Sequence, residues 1–417
     1  MANMSAIPFW LPPEDKDLIG LHSSRDPLGF LPIWSQRGRG VIPSLTEQTD
    51  EARGFQLLVT AFRLWEDFQV KHAQEKVQVE EFFLLVEQAF AFSTQSREQT
   101  WPLPGKDRVE KFVRDGTPRL SLKNGILANQ LGNGVWGLYR GAAFRSGILH
   151  ESMRCLSASF RKDMGDDLGL GRRPYGQLFD RILEAHEYRE AGAEFSLHGL
   201  RELPGQLAEI LKKMPQKSLM RRYLFPSGSL VERVAVLLFE NRSAFRDDPS
   251  FRRIFINRCA TEFPQERESF ERILRCEDFI APVENLFLCL FQFAGERVAT
   301  AAAKIDIDLA KFRQAFEAFQ DSGPYTGGTS RRFAIYRDGI QLSSKRDFIR
   351  SILACHRRVA ADRRREPWIA DDADKVQAFV QLEDIGKNEA LDATPGSTWL
   401  NDYYLGPLLS VYARLRS

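Results

Sequence analysis

Cysteine is scarce in this chain, and what there is lies scattered. Cys155, Cys259, Cys276, Cys289 and Cys355 form no Cys-x-x-Cys pair, and their number is odd. That pattern excludes a zinc ribbon and a disulfide framework and fits a reducing, cytoplasmic setting. Long apolar runs are missing too. No stretch approaches the ~18 uninterrupted apolar residues of a membrane span, and the opening MANMSAIPFWLPPEDKD has neither the basic start nor the apolar core of a secretory leader. No membrane partner is expected. Charge of one sign is also lacking: the formal net charge is +2 over 417 residues. The whole molecule is therefore no polycation, and any anion-binding surface must be local. H-E-x-x-H, G-x-S-x-G, H-x-K-x4-D and the P-loop pattern are all absent. The sequence thus names no cofactor and no metal ligand set.

What is present concentrates first between Asp26 and Phe68. Pro27, Pro32 and Pro43 each remove a backbone donor and fix φ. With Gly29, Gly38 and Gly40 between them, they predict an extended arm over residues 1–50. Ser44 and Thr46 are good helix-capping residues. From Ala52 onward, Phe55, Leu58, Val59, Phe62, Trp65 and Phe68 form one apolar stripe, the mark of a core-facing helix. Arg37, Arg39 and Arg53 near a helix start are a candidate anion site. The alternative is that Phe30, Leu31 and Trp34 simply pack the arm onto a core, and that reading is preferred here.

The order Pro27-Leu28-Gly29, the loop ending Ile42-Pro43-Ser44-Leu45-Thr46, then Thr49, Ala52-Arg53 and an aromatic-rich helix resembles a family of uncharacterised bacterial proteins. Many of these are encoded among anti-phage defence genes. The likeness covers roughly the first 150 residues. This chain has Pro-Ser-Leu-Thr where the family carries Pro-Gly, and one arginine fewer at the helix start. The resemblance implies a setting, a bacterial defence operon with protein subunits as partners, and no mechanism.

Further along, the apolar spacing predicts helices over 51–73 and 75–93. A glycine-rich segment follows, with Gly125, Gly132, Gly134, Gly137, Gly141 and Gly147 among Trp136, Tyr139 and Phe144. It lacks the lysine of a phosphate-cradling loop, so close backbone packing against aromatics is the preferred reading. Breaks at Gly165–Gly171, Pro204-Gly205, Pro215 and Pro226-Ser227-Gly228 divide 150–240 into several helices, with Leu230–Leu238 strongly apolar. Residues 249–280 give two helices rich in Arg and Glu.

The most readable module spans 282–341. Three short helices, Val283–Phe293, Val298–Ile305 and Leu309–Phe319, precede Pro324-Tyr325-Thr326-Gly327-Gly328. Arg331–Asp338 then alternates with period 2 like a strand. Helices followed by a hairpin is the order of a winged helix-turn-helix. On that model Lys311, Arg313 and Gln314 face duplex DNA from the third helix, and Arg331 and Arg332 sit on the wing. A basic helix, Lys345–Arg365, follows, and Asp371, Asp372 and Asp374 come directly after it.

Three Arg–His pairs match the Arg-x4-6-His spacing of HEPN ribonucleases: Arg145–His150, Arg181–His186 and Arg350–His356. Six histidines and three spacings give roughly two such matches by chance. Arg181 and His186 are retained as the one catalytic alternative. His186 with Glu184 and Glu187 is the densest set of metal-ligating types and reads as a solvated helix face. Glu14-Asp15-Lys16 lacks the strand context of a nuclease motif.

The expected fold is mostly α: an arm at 1–50, a helical domain at 51–275, a winged-helix module at 282–341 and a helical extension at 342–417. The expected function is a non-enzymatic DNA- or partner-binding component of a defence system. A HEPN-like ribonuclease and a structural adaptor with a protein-docking winged helix are the alternatives.

Overall fold

The computed structural model describes residues 26–380 and 392–416, apart from positions 98, 117, 166, 167, 169, 198, 201 and 249. Glu14-Asp15-Lys16, His22 and His198 lie outside the described residues. The architecture is mostly helical, with two small two-stranded antiparallel sheets. No helix among the described residues is long and apolar enough to cross a membrane.

The chain divides into two compact units, and both are built from separated segments. The first holds residues up to Val41 together with Ser243–Tyr403; the second holds Ile42–Arg242 and Tyr404 onward. This differs from the domain sequence 1–50, 51–275, 282–341 and 342–417 read above. Ile33, Trp34 and Val41 of α1 (Leu31–Val41) are buried, and α1 packs on a helix more than two hundred positions away, which no local pattern reports; Leu31, expected to pack with Phe30 and Trp34, is exposed. The described part of the arm, from Asp26 on, is not extended either. Pro32 occupies the first turn of α1, where its missing N–H would be unpaired in any case. Pro27 and Pro43 lie outside the helix, and Gly38 and Gly40 are within it.

The second unit is arranged around α2 (Ala52–Lys71). Its predicted stripe is buried, and so are Gln56, Thr60 and Arg63 off the stripe. The helix is covered on nearly all sides by α3 (Val79–Ser96), α4 (Val135–Arg145), α6 (Leu203–Lys213), α7 (Lys217–Leu224) and α15 (Leu405–Arg416). Gln56 shows how a polar residue tolerates that position: its amide nitrogen donates to Thr60 Oγ1 at 3.0 Å, and its oxygen accepts from the Gln216 backbone at 3.3 Å. Gly54 is required by proximity. A Cβ there would lie 2.2 Å from Tyr139 Cζ of α4, whose ring meets Phe55 edge-on with centroids 5.0 Å apart. α5 (Arg172–Glu187) and β2 (Ala193–Glu194) lie between α4 and α6, and β2 pairs antiparallel with β1 (Arg119–Leu120), which precedes α4. α8 (Leu230–Glu240) packs its buried face on α15.

In the first unit, α9 (Phe251–Glu262) packs on α10 (Arg267–Cys289), which also carries α1. α10 runs straight through the expected break and contains Pro282. Its centre holds Glu277, fully buried. That carboxylate accepts from the backbone of Leu400 (2.5 Å) and Asn401 (2.9 Å), from the Asn401 side-chain nitrogen (2.9 Å) and from Tyr403 O–H (2.9 Å). Burial raises its pKa against the pull of these bonds. Four donors on one buried carboxylate fix the segment before Tyr403 onto α10. At the other end of the unit, residues 26–30 are tied into the helices. Tyr336 donates to Leu28 O. His356 Nδ1–H donates to Pro27 O at 2.9 Å, and Arg363 donates to Asp26 Oδ2 at 2.8 Å.

Candidate binding interface

The helix pair anticipated from the sequence is present. α11 (Val298–Lys304) ends at Ile305, and α12 (Leu309–Gln320) begins after an N-cap in which Asp308 accepts from the backbone of Ala310 and Lys311, both at 3.1 Å. α12 buries Phe312, Ala315, Phe316 and Phe319. Phe316 and Phe319 pack on Phe279 of α10 at 5.1 and 4.8 Å between ring centres, and Phe312 packs on Phe348 at 4.7 Å. The opposite face exposes Lys311, Arg313, Gln314 and Glu317. Arg313 is not idle, since its guanidinium donates to Leu342 O at 2.9 and 3.2 Å. Lys311 lies 3.8 Å from Asp308. Gln314 has no side-chain partner among the described residues.

The expected wing at 331–338 is a helix, which corrects the strand reading. α13 spans Gly327–Gly339. Phe333 and Ile335 suggested alternation over eight residues, but the wider stripe of Thr329, Phe333, Tyr336 and Ile340 is helical and is buried. Arg331 stands exposed on this helix. Arg332 is packed instead: its stem lies where a Cβ on Gly29 would fall, 2.8 Å away, and its guanidinium lies 3.8 Å from Asp362.

A hairpin does exist, thirty residues later. β3 (Ile369–Asp372) pairs with β4 (Lys375–Ala378) through a two-residue loop, and the backbone of 295–298 runs along the other side of β4. Gly295 N donates to Val376 O at 2.7 Å, and Val376 N donates to Glu296 O at 2.9 Å. Ala373 and Asp374 at the tip both have positive φ, 47° and 67°, as a tight hairpin with right-handed twist demands. Neither is glycine, so each is strained by roughly 1–2 kcal/mol, offset by local bonds. Asp374 N donates to Asp371 Oδ1 at 3.0 Å, and Val298 N donates to Asp374 O at 2.9 Å.

That tip changes the reading of the basic helix. α14 (Lys345–Asp362) directs its arginines at the hairpin. Arg346 pairs with Asp374 at 2.9 Å, Arg350 pairs with Asp371 and Asp374 at 3.0 Å each, and Arg357 donates to Asp371 O at 2.9 Å. The acids that follow the helix in sequence fold back onto it and pair with Arg346 and Arg350, while Arg358 stays exposed.

The other candidates fall into separate surroundings. Arg181 and His186 both sit on α5. Five residues place them about 140° apart around a helix. Arg181 pairs with Glu184. His186 Nε2 lies 3.3 Å from Glu81 and 3.1 Å from Arg189, which itself pairs with Glu81 at 2.7 Å. Arg145 donates to Pro43 O at 2.6 Å, while His150 meets Ser152. Arg350 faces the hairpin, while His356 is buried with its Nε2 accepting from Trp368 N at 2.8 Å. Arg37 donates to Pro324 O and lies over the Tyr325 ring, and Arg53 pairs with Glu51. No cluster of three metal-ligating side chains occurs among the described residues. Cys259, Cys276 and Cys355 are buried, and burial pushes each thiol up to about 12, away from nucleophilic reactivity.

The glycine-rich segment has an internal answer to its anion-ready geometry. The N-terminus of α4 points its first donor, Val135 N, at Glu87 Oε1 (2.8 Å) of α3, and Gln130 donates to Oε2 at 2.8 Å. Glu87 is fully buried, and that burial pushes its pKa up to about 7. A Cβ on Gly134 would lie 2.7 Å from this carboxylate. The place a phosphate would take is filled by the protein's own side chain.

Sequence reasoning missed the hairpin and the Glu87 contact. The tip carries no Asn-Gly or Asp-Gly to announce it, and Glu87 sits in an apolar helix run with nothing local to mark a partner forty-eight residues on. No family model, curated protein or solved structure matches the chain.

Proposed function

We propose that this chain is a binding component of a bacterial anti-phage defence system and that the α11–α12 pair with its adjoining ribbon docks a protein partner. The setting rests on the N-terminal resemblance. The docking reading rests on the charge of the exposed surface. Arg297, Lys304, Lys311 and Arg313 are matched by Glu296, Asp306, Asp308, Glu317 and Asp321 on the same short stretch, and the hairpin tip is acidic. Duplex DNA is held chiefly by excess positive charge against its phosphates, and this face offers none. Mixed charge around a small exposed helix face suits a polar protein–protein rim.

The DNA reading keeps one specific support. A bridge at Arg297, the α11–α12 pair and, after α13 and α14, the β3–β4 ribbon follow one another in an order that a winged helix would use, and Lys311 and Gln314 are exposed on α12, the helix that would then enter the major groove.

Charge reversal at Lys311 and Arg313 separates the two. With Lys311→Glu and Arg313→Glu together, duplex binding by the full chain is expected to stay unchanged across a salt series. Co-purification with the proteins encoded beside it is expected to fall. A drop in duplex affinity with intact co-purification would overturn the docking reading in favour of DNA.

A further inference from the structure

The second unit carries arginines of a different kind. Phe239 closes α8, and Tyr412 lies on α15; their ring centres are 5.9 Å apart. Arg242, just past α8, and Arg416, at the end of α15, place their guanidinium carbons 4.6 and 4.7 Å from the centre of the Phe239 ring. Their separation is therefore no more than twice that reach. Arg221 of α7 lies over the Tyr412 ring at 5.5 Å, and Phe225 braces Tyr412 edge-on at 5.3 Å.

A guanidinium lying over a ring uses its flat face for the contact and leaves its N–H edge directed outward. Arg242 donates one N–H to Phe239 O at 3.0 Å. Among the described residues, none of the three forms an ion pair. Arg242 and Arg416 are exposed, and Arg221 is half-exposed. Glu240, next to Phe239 in the chain, is exposed and pairs with none of them. Three guanidinium groups without an ion pair among the described residues thus lie over two neighbouring rings. Tyr412 is 2% exposed and Phe239 already carries two arginines, so neither ring is an open platform for stacking bases.

We propose that Arg221, Arg242 and Arg416 bind the phosphodiester backbone of a nucleic acid. The chemistry favours phosphate: the fork matches it bidentately, and ring seating fixes the fork in advance. A nucleic acid supplies phosphates at close, regular spacing, one charge per ~1.7 Å of duplex axis, which suits several guanidinium groups held over two neighbouring rings. Contacts of this type fix position without reading sequence.

The test uses the full chain with labelled duplex DNA, single-stranded DNA and RNA of mixed sequence, each titrated over a range of salt. The parent is expected to bind at low salt with no sequence preference. Arg242→Gln with Arg416→Gln is expected to weaken binding on the order of tenfold or more and to lower the duplex salt slope by about 1.8, two contacts' worth. Arg242→Lys with Arg416→Lys keeps the charge and the packing stem. Its slope is expected to stay near the parent's while its affinity falls, because a point charge replaces the fork. Thermal unfolding of both pairs checks that the fold is retained; should the Gln pair unfold, the Lys pair carries the test. Three outcomes overturn the inference: a folded Gln pair with parental affinity and slope, a parent that binds none of the three nucleic acids, or a parent that binds only vesicles of anionic phospholipid. The site is independent of the α11–α12 pair, so Lys311→Glu with Arg313→Glu is expected to leave this binding intact.

Discussion

The two units hold the same residue type in opposite electrostatic states. In the first, α14 presents Arg346, Arg350 and Arg357 to a hairpin whose Asp371 and Asp374 accept them. Arg363 likewise meets Asp26, and Arg253 pairs with Asp278 at 2.5 Å. In the second, Arg221, Arg242 and Arg416 are seated on rings and meet no carboxylate among the described residues. A count of arginines ranks α14 as the more basic surface but does not register that Arg346 and Arg350 are paired. What matters is whether the guanidinium edge is already engaged. A carboxylate engages the edge, while a ring engages only the face.

The largest expected effect tests what the open arginines rest on. Trp65 stacks against Phe68 with ring centres 5.9 Å apart and packs on Phe82 at 5.2 Å in the core of the second unit. Trp65→Ala is expected to cost about 3–5 kcal/mol, measured by denaturant unfolding. An unchanged midpoint would mean that the α2 core does not set the stability of the ring-bearing unit.

The next concerns the closed unit and pH. His356 is held neutral between Pro27 O and Trp368 N, and burial lowers its pKa from 6.5 to about 4. The folded pKa lies below the unfolded one, so the contribution is complete above pH 6.5 and is lost as pH falls from there through about 4. The span corresponds to about 3 kcal/mol. His356→Gln is expected to flatten the stability profile in that window; an unaltered acid limb would refute the assignment. Glu87 in the second unit has the opposite sign. Its folded pKa of about 7 lies above the usual 4.5, so its contribution is complete below pH 4.5 and is lost as pH rises through 7.

Glu277→Gln sharpens the contrast between internal and outward charge. One acceptor oxygen becomes a donor facing Asn401 and Tyr403, at an expected cost of about 1–3 kcal/mol. Hydrogen exchange should rise at Leu400 and Asn401; unaltered protection there would show that another contact fixes the segment.

The smallest effect on stability is the most direct attack on the comparison. Asp371→Asn with Asp374→Asn removes partly exposed ion pairs, worth under about 1 kcal/mol together with α14. It also leaves Arg346 and Arg350 without their carboxylates. Nucleic-acid affinity at low salt is expected to rise and the salt slope to steepen. If neither changes, carboxylate pairing is not what closes this face.

Much of the fold could be read directly. The stripe from Phe55 to Phe68 is a core helix because its spacing matches 3.6 residues per turn, and the helix pair at 298–320 follows from its turn and its cap. Trp34, Phe62 and Trp65 are buried as expected. The misreadings share one cause. Over eight residues, Arg331–Asp338 satisfies a strand period and a helix period alike, and only burial of Thr329, Phe333, Tyr336 and Ile340 against neighbouring helices decides between them. Pro32 and the glycines beside Arg37 looked like an arm, yet a proline in a first turn and an apolar surface to pack on suffice for a helix.

The sequence by itself determined the helical class, the positions of α2, α3 and α14 and the absence of any motif that names a reaction, since periodicity and residue chemistry are local properties. Tertiary structure alone decided which charges are available. Asp371 reaches Arg350 and Glu87 reaches Val135, while Arg416 and Arg242 share one ring, because the chain folds back over tens to hundreds of positions. Electrostatic pairing depends on distance in space, which no local pattern encodes.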